Sequence, residues 1–434
     1  MIKIIGILFT LIAADFYLFP FEPSILPAGF NVKMILAGLA LPYIAFQLAT
    51  QRDAFINKDF LIICLFTIPI SLFSLLSNVY NNTNDFSFNF YFVSIFVWMA
   101  AGFLVTSMIK LVHQKLSVQL LADYLIGVCC LQCILALCME YIPALKDTID
   151  GMMAGTEAFM GDAGDRMHGL GCALDVAGGR FAAILVIIAI LLTKTQSKIK
   201  IWFYIISFLI ILVIGNMIGR TATIGGALSI LYWIYDGLKG NPSGNGSYKY
   251  LLTGLCIIIP IIIILYSTNP VFYERFRFGF EGFFSLIETG RWETNSSDIL
   301  LNHMLVFPDN MKTWLIGDGY GANPSENDPY YTGKEYHGFY MGTDIGYLRF
   351  IFFFGIFGMF SMIALFICFW RTCCNRFSKL KDIATMLLIL NLIIWFKATS
   401  DLLPIFAILL CIGETDQDSY EDQLLRDKQC IGNI

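Results

Sequence analysis

Apolar runs of about 20 residues recur along the whole chain, and they constrain its fold more than any other feature. A helix that crosses a bilayer needs about 20 mainly apolar residues, because its backbone must satisfy its own hydrogen bonds in lipid. The 434 residues are 57% hydrophobic and only 14% charged, with a mean hydropathy of +0.70. A soluble globular chain carries about 25% charged residues. The sequence therefore predicts an all-α polytopic integral membrane protein.

Twelve windows are long and apolar enough to predict spanning helices, the last two being the shortest. They cover residues 4–20, 34–50, 59–77, 89–109, 119–143, 178–193, 201–217, 221–237, 250–267, 345–370, 383–397 and 400–413. The first is interpreted as an uncleaved helix, because no small-residue cleavage site follows it. The chain thus divides into helices 1–9 within residues 1–267, a large loop over 268–343, helices 10–12 within 344–413, and a tail over 414–434.

Lysine and arginine concentrate in alternate short connections, and this pattern predicts the orientation. With the N-terminus inside, nearly every short basic loop falls on the cytoplasmic side, as the positive-inside rule requires. Two long external loops follow, over residues 144–177 and 268–343, and the second is large enough to form a folded cap. Both termini, including the acidic tail over 414–434, are then expected in the cytoplasm.

Several arginines are exceptions to the positive-inside rule, because they lie at the external ends of apolar helices. Arg166 and Arg180 flank the start of the sixth window, and Arg220 precedes the eighth. A cation near the centre of a span costs about 2.5–3.5 kcal/mol on insertion scales. Snorkelling to lipid phosphate would explain each residue alone. A shared anionic ligand would explain them together, since the planar guanidinium binds phosphate oxygens bidentately, and a lipid-linked diphosphate is the natural candidate.

Four stretches add a resemblance to a known family. They are RMHGLGCALDVAGGRFAAIL (166–185), GNMIGRTATIGGALSIL (215–231), GRWETNSSDILLNHMLVFPDNMKTWLIGDGYG (290–321) and EYHGFYMGTDIGYLRFIFFFGIFGMF (335–360). In order and placement they resemble the bacterial O-antigen polymerases and the related O-antigen ligases, which are membrane glycosyltransferases of the GT-C type. Ligases commonly show a His-Asn pair where this chain has Asp344, and this difference favours a polymerase.

The resemblance implies a reaction at the periplasmic face of the bacterial inner membrane. A growing glycan would leave undecaprenyl diphosphate for a hydroxyl of another lipid-linked repeat unit. Arginines would neutralise the charge that develops on the departing diphosphate. The resemblance and the charges together predict catalytic roles for Arg291, Arg220, His337 and Asp344, and substrate binding by Arg166, Arg180, Arg277, Trp292 and Tyr340. His337 would act as the base or orient the acceptor, and it is favoured over His303.

Simpler interpretations of these residues stay open. His337 could be an exposed loop histidine, Asp344 could cap the tenth helix, and loop aromatics also gather where a loop lies on a membrane. We expect no cofactor, no metal and no nucleic acid, with membrane lipids as partners. A flippase and a chain-length regulator are further candidate partners. The alternative functions are O-antigen ligase and polysaccharide transporter, although one large loop among short connections fits a one-sided enzyme better.

Overall fold

The computed structural model describes residues 2–27, 29–50, 56–154, 166–239, 247–333 and 338–413, without the side chains of 247–251. Over these ranges the regular structure is helical, with isolated bridges and no strand, which confirms the all-α class. The helices are α1 Ile2–Leu18, α2 Val32–Ala49, α3 Lys58–Asn81, α4 Tyr91–His113, α5 Val118–Tyr141, α6 Pro143–Met152, α7 Leu174–Lys194, α8 Lys198–Ile218, α9 Ala222–Leu238, α10 Ser247–Thr268, α11 Pro270–Gly279, α12 Glu281–Thr289, α13 Asn295–Ile299, α14 Met311–Leu315, α15 Gly346–Arg376, α16 Lys381–Ile394 and α17 Leu403–Leu410.

Within the described residues, seven helices are long and apolar enough to cross a membrane: α2, α3, α4, α5, α7, α8 and α15. An eighth span results if α10 and α11, which meet at a bend of 119°, are counted as one. Helices α1 and α9 have 17 residues each, or about 26 Å, at the short end of the spanning range. The windows 383–397 and 400–413 correspond to helices of only 14 and 8 residues. The chain is thus a polytopic membrane protein.

Helix α7 lies at the centre of the bundle. Its residues from Ala177 to Leu192 are all buried, because the sequence is apolar around the whole helix rather than along one stripe. It packs against α5, α8, α9 and α16. The single arginine of this buried stretch, Arg180, lies near the start of the helix. The central helix therefore places a cation close to one end of the bundle.

Helix α15 is broken at Phe354 and Gly355, where the backbone leaves the helical region. The carbonyl of Phe352 accepts a hydrogen bond from the amide of Asp318 at 2.6 Å, and that of Phe353 accepts one from Gly319 at 3.0 Å. These two amides replace the N–H groups that an unbroken helix would have supplied to the two carbonyls. An unpaired backbone carbonyl would cost several kcal/mol in lipid. The 21 residues after the break span about 32 Å, enough to cross the hydrocarbon alone. The large loop is thereby anchored to the membrane bundle.

Helix α17 is short and entirely buried, between α4 and α15. Pro404 stands in its first turn, where a missing amide hydrogen is tolerated, and the Pro404 carbonyl accepts a hydrogen bond from the Tyr17 hydroxyl at 2.5 Å. Because α17 has only eight residues, the connection 395–402 before it lies inside the helix bundle. This connection forms part of the wall of the site described next.

Candidate functional site

A cavity of about 730 Å³ lies at one end of the helix bundle. Its wall comes from the connections that join α1 to α2, α6 to α7, α8 to α9 and α16 to α17, and from the large loop before α15. Within the large loop, α13 and the turn after it contribute the lining residues Asn295, Ser296, Ile299, Leu300 and Met304. The cavity is therefore assembled from segments that are far apart in sequence.

The cavity wall is strongly cationic. Three carboxylates belong to it: Asp175, Asp344 and Asp401. They face six basic side chains: Lys33, Arg166, Arg180, Arg220, Arg349 and Lys397. Glu281, outside the lining, pairs with Arg220, so the wall keeps an excess of two positive charges. A concave wall of one sign focuses the field and attracts ligands of opposite charge. The charge balance therefore favours an anionic ligand.

The backbone adds to this potential. Among the described helices, α2, α7, α9, α15 and α17 all begin at the cavity wall, so their N-termini converge there. Each helix N-terminus carries the equivalent of about half a positive charge, from amide groups without helical partners. Such ends bind phosphate and carboxylate groups. The convergence reinforces the side-chain charges instead of opposing them.

Two of the six cations are buried without a close counterion. Lys33 is 4% exposed, and its ammonium lies 5.0 Å from the centre of the Tyr17 ring. Arg180 is 9% exposed, and its guanidinium lies 5.5 Å from the centre of the Phe19 ring. Neither forms a hydrogen bond or an ion pair with any residue that the structure describes, and Asp401 acts on both only at longer range. A buried, unpaired charge costs several kcal/mol, and arginine, unlike lysine, does not avoid that cost by losing its proton, so Arg180 is the strongest indication of an anion site.

Lys397 is held in a half-buried ion pair. Its ammonium lies 2.5 Å from Oδ1 of Asp175 and donates to the Thr221 hydroxyl at 2.8 Å. That hydroxyl donates in turn to the same Asp175 oxygen at 2.5 Å. The triad links the starts of α7 and α9 to the end of α16. Its first role is therefore to hold the cavity wall together.

Arg349 forms a second network at the start of α15. One guanidinium nitrogen lies 3.1 Å from the Asp344 carboxylate and 2.6 Å from the Thr399 hydroxyl. The other donates to the carbonyl of Gly321 at 3.1 Å, which ties the large loop to this wall. Burial raises the pKa of Asp344 above its ordinary value, although the nearby Arg349 opposes the shift. Asp344 is thus a carboxylate with enhanced basicity beside the cavity.

Arg166 and Arg220 share one aromatic support. The ring of Phe278 in α11 lies 4.4 Å from the Arg220 guanidinium and 5.3 Å from that of Arg166. Arg220 also pairs with Glu281 at the start of α12. Glu281 accepts a second hydrogen bond from the amide of Asn295, a lining residue. The outer arginines of the cavity are therefore positioned by the first helices of the large loop.

Of the nine residues predicted for the site, the structure brings four together in the cavity wall: Arg166, Arg180, Arg220 and Asp344. Arg277 lies elsewhere, in a bidentate ion pair with Glu288 at 2.8 Å. His337 lies outside the described residues.

The three remaining predicted residues are in the large loop but not in the wall. Arg291 is exposed after the left-handed Gly290, and its carbonyl accepts a hydrogen bond from Ser285 at 2.6 Å. Trp292 is exposed and packs edge-on against Phe283. Tyr340 is buried and donates to Asp318. His303, ranked below His337, is exposed and also outside the lining.

Sequence reasoning missed Lys33 and Lys397 as site residues, together with Asp175 and Asp401. The signal for the two lysines was present. Lys33 precedes the second window, and Lys397 ends the eleventh, so both lie at external ends in the predicted topology. The argument applied to the arginines would also have selected them. Within the described ranges, no three His, Cys, Asp or Glu side chains form a group able to hold a metal ion.

No family model, no curated protein and no solved structure matches this chain.

Proposed function

We propose that the protein is a membrane glycosyltransferase of the GT-C type that polymerises lipid-linked repeat units of O-antigen or capsular polysaccharide. The observation that carries this proposal is the cationic cavity, in which Lys33 and Arg180 are buried without close counterions and five helix N-termini converge. A diphosphate suits such a wall, because it brings several charged oxygens to donors that are already in place. A lipid tail is expected as well, because the site lies within a bundle of membrane helices and a lipid can reach it from the bilayer.

In the proposed reaction, the anomeric carbon of the growing glycan loses its bond to the phosphate oxygen of undecaprenyl diphosphate. A hydroxyl of the acceptor repeat unit forms the new glycosidic bond and gives up its proton. The cations of the wall neutralise the departing diphosphate, one well-placed donor contributing about 2.7–4 kcal/mol by analogy with oxyanion sites. Asp344 is the proton acceptor, since its carboxylate lines the cavity. His337 and Arg291 remain proposed participants from the large loop.

We further propose that about twelve helices are embedded in the bacterial inner membrane: the eight candidate spans, α1 and α9, and the short α16 and α17, which return through the connection 395–402 at the cavity. Both termini are cytoplasmic in this topology, and the cavity lies at the periplasmic end under the cap 268–343. The support is the positive-inside pattern, since the connections at the cavity are those that the pattern places outside. Charge neutralisation is assigned to lysine and arginine rather than to a metal. A flippase and a chain-length regulator are the proposed partners.

The direct test is polymerisation by the purified protein. It would be incubated in proteoliposomes with a synthetic undecaprenyl-diphosphate repeat unit, and the products separated by gel electrophoresis. A ladder of products that differ by one repeat unit is expected. Transfer to lipid A core without a ladder would identify a ligase. If neither product forms and the labelled lipid only changes leaflet, the protein is a transporter and the enzyme proposal fails.

A further inference from the structure

The first helices of the large loop bend back toward the membrane. The direction of the chain changes by 119° between Leu252–Thr268 of α10 and Pro270–Gly279 of α11. If α10 follows the membrane normal, α11 lies about 29° below the plane perpendicular to it. Its ten residues, about 15 Å long, would then descend by about 7 Å. This depth is typical of an amphipathic helix at the boundary between headgroups and acyl chains.

The outward surface of this segment is apolar and aromatic. Ile287 is 81% exposed, and it is accompanied by other exposed side chains: Val271, Tyr273, Phe283, Leu286 and Trp292. This surface continues the exposed isoleucines of α10, which face lipid in a spanning helix. Exposed apolar surface of this extent is avoided in contact with water, and aromatic side chains are enriched at membrane interfaces. The surface is therefore suited to a bilayer.

Four of the five charged side chains of the same segment are paired within the protein, and the fifth, Glu274, is exposed. On α11 and α12, Arg275 pairs with Glu140 at 2.8 Å and Arg277 pairs with Glu288 at 2.8 Å. Glu281 pairs with Arg220. Pairing lowers the cost of placing charge in a medium of low dielectric constant.

The inward surface of the segment contacts residues of the cavity wall. Gly279 lies so close to the end of α8 that a Cβ atom there would come within 3.1 Å of the Asn216 carbonyl. Next to it, Phe278 supports both Arg166 and Arg220. The depth of α11 in the bilayer therefore sets the depth of the two outer arginines.

We propose that Pro270–Thr289 is a re-entrant interfacial element, inserted among the acyl chains and headgroups of the bilayer. It holds Arg166 and Arg220 at the level of the lipid phosphates, so that an anionic lipid headgroup enters the cavity sideways from the membrane. The occupant of the outward surface is the bilayer itself. This inference needs only a membrane location and not the glycosyltransferase activity.

The test measures which medium surrounds Ile287. A fluorescent noncanonical amino acid would be placed at residue 287 and, as a matched control, at Ser325, which is exposed in the polar part of the same loop. The labelled proteins would be reconstituted in phosphatidylcholine vesicles with or without lipids brominated on the acyl chain. Aqueous iodide serves as the second quencher. Tm in detergent checks that both labelled proteins keep the wild-type fold.

We expect brominated lipid to quench residue 287 at least threefold more than residue 325, and iodide to quench residue 325 more. Iodide quenching of residue 287 equal to that of residue 325 would place the segment in water and overturn the proposal. Protection of residue 287 from both quenchers would show a covering protein, such as a second copy of this chain, and would also overturn it. No substrate is used, so failure of the polymerisation assay leaves this result unaffected.

Discussion

Replacing Arg180 with glutamine should have opposite effects on ligand binding and on stability. The Arg180 guanidinium is buried beside Phe19 without a hydrogen bond or ion pair to any described residue. An unpaired buried cation costs several kcal/mol, whereas an unpaired neutral polar group costs about 1–3 kcal/mol. We therefore expect Arg180→Gln to raise the free energy of unfolding by about 1–3 kcal/mol. Most substitutions of buried residues act in the other direction.

The same substitution should weaken the binding of a lipid diphosphate. A hydrogen bond to a charged partner contributes about 1.5–3 kcal/mol, which corresponds to roughly a 10- to 150-fold increase in Kd at about 1.4 kcal/mol per factor of ten. Wild-type protein at a ligand concentration of 100 times Kd gains about 2.7 kcal/mol of stability. After a 100-fold loss of affinity, the same concentration stabilises the variant by only about 0.4 kcal/mol.

The assay is thermal unfolding in detergent with and without a short-chain polyprenyl diphosphate, combined with direct measurement of Kd. Arg275→Gln is the matched control, because Arg275 pairs with Glu140 at 2.8 Å and does not line the cavity. The control should lower Tm and leave Kd unchanged. The reasoning is refuted if Arg180→Gln changes Kd by less than threefold, or if it lowers the Tm of the ligand-free protein.

Three further predictions follow from other parts of the molecule. Although Arg291 lies outside the cavity wall, we propose that it meets the substrate from the large loop, so Arg291→Ala is expected to abolish the polymerisation ladder at unchanged Tm. Near-wild-type polymerisation would show that Arg291 takes no part in the reaction. Gly355→Ala should destabilise the protein by about 1–3 kcal/mol in thermal unfolding, because a Cβ there would meet a backbone carbonyl at 2.3 Å with φ at +74°. The exposed helical Gly237→Ala should not destabilise it, and equal losses would contradict the argument. Burial raises the pKa of Asp344 in the folded protein above its value of about 4 in the unfolded chain. As pH rises from about 4 through the pKa of the folded protein, the wild type should therefore lose stability relative to Asp344→Asn. A pH-independent Tm difference would contradict this assignment.

The spanning helices were predictable because a single physical requirement, burial in hydrocarbon, determines both their composition and their length. The windows 59–77 and 89–109 correspond to Lys58–Asn81 and Tyr91–His113 within a few residues. The last two windows form shorter helices than predicted, since apolar sequence does not distinguish a full-length span from a short helix buried in protein. All eight residues of helix α17 are buried in protein, and such a helix is as apolar as one that faces lipid. The break in α15 was also hidden, because its replacement donors come from a distant loop.

The candidate site was predictable only in part, and for a physical reason. Arg180 and Arg220 could be found because each is a cation at the external end of an apolar helix. Such a position is an exception to the positive-inside rule, which can be read from the sequence. One neighbour in space, Asp401, comes from a connection about 180 to 220 residues away, and no local pattern reports that proximity. The unpaired state of Lys33 likewise depends on which carboxylates fold near it. The sequence thus shows where a charged residue lies relative to the apolar helices, but it does not show which oppositely charged residue lies near it in the fold.

The central claim is that the cationic cavity binds a lipid diphosphate. Photocrosslinking with a polyprenyl diphosphate analogue that carries a photoreactive group next to the phosphates tests it most directly, with the modified peptides mapped by mass spectrometry. The account predicts crosslinks on peptides that contain Lys33, Arg180 or Arg220, competed by unlabelled polyprenyl diphosphate and lost in a Lys33→Gln/Arg180→Gln variant. Competed crosslinks confined to peptides outside the cavity wall, or retained at the wild-type level in that variant, would contradict it.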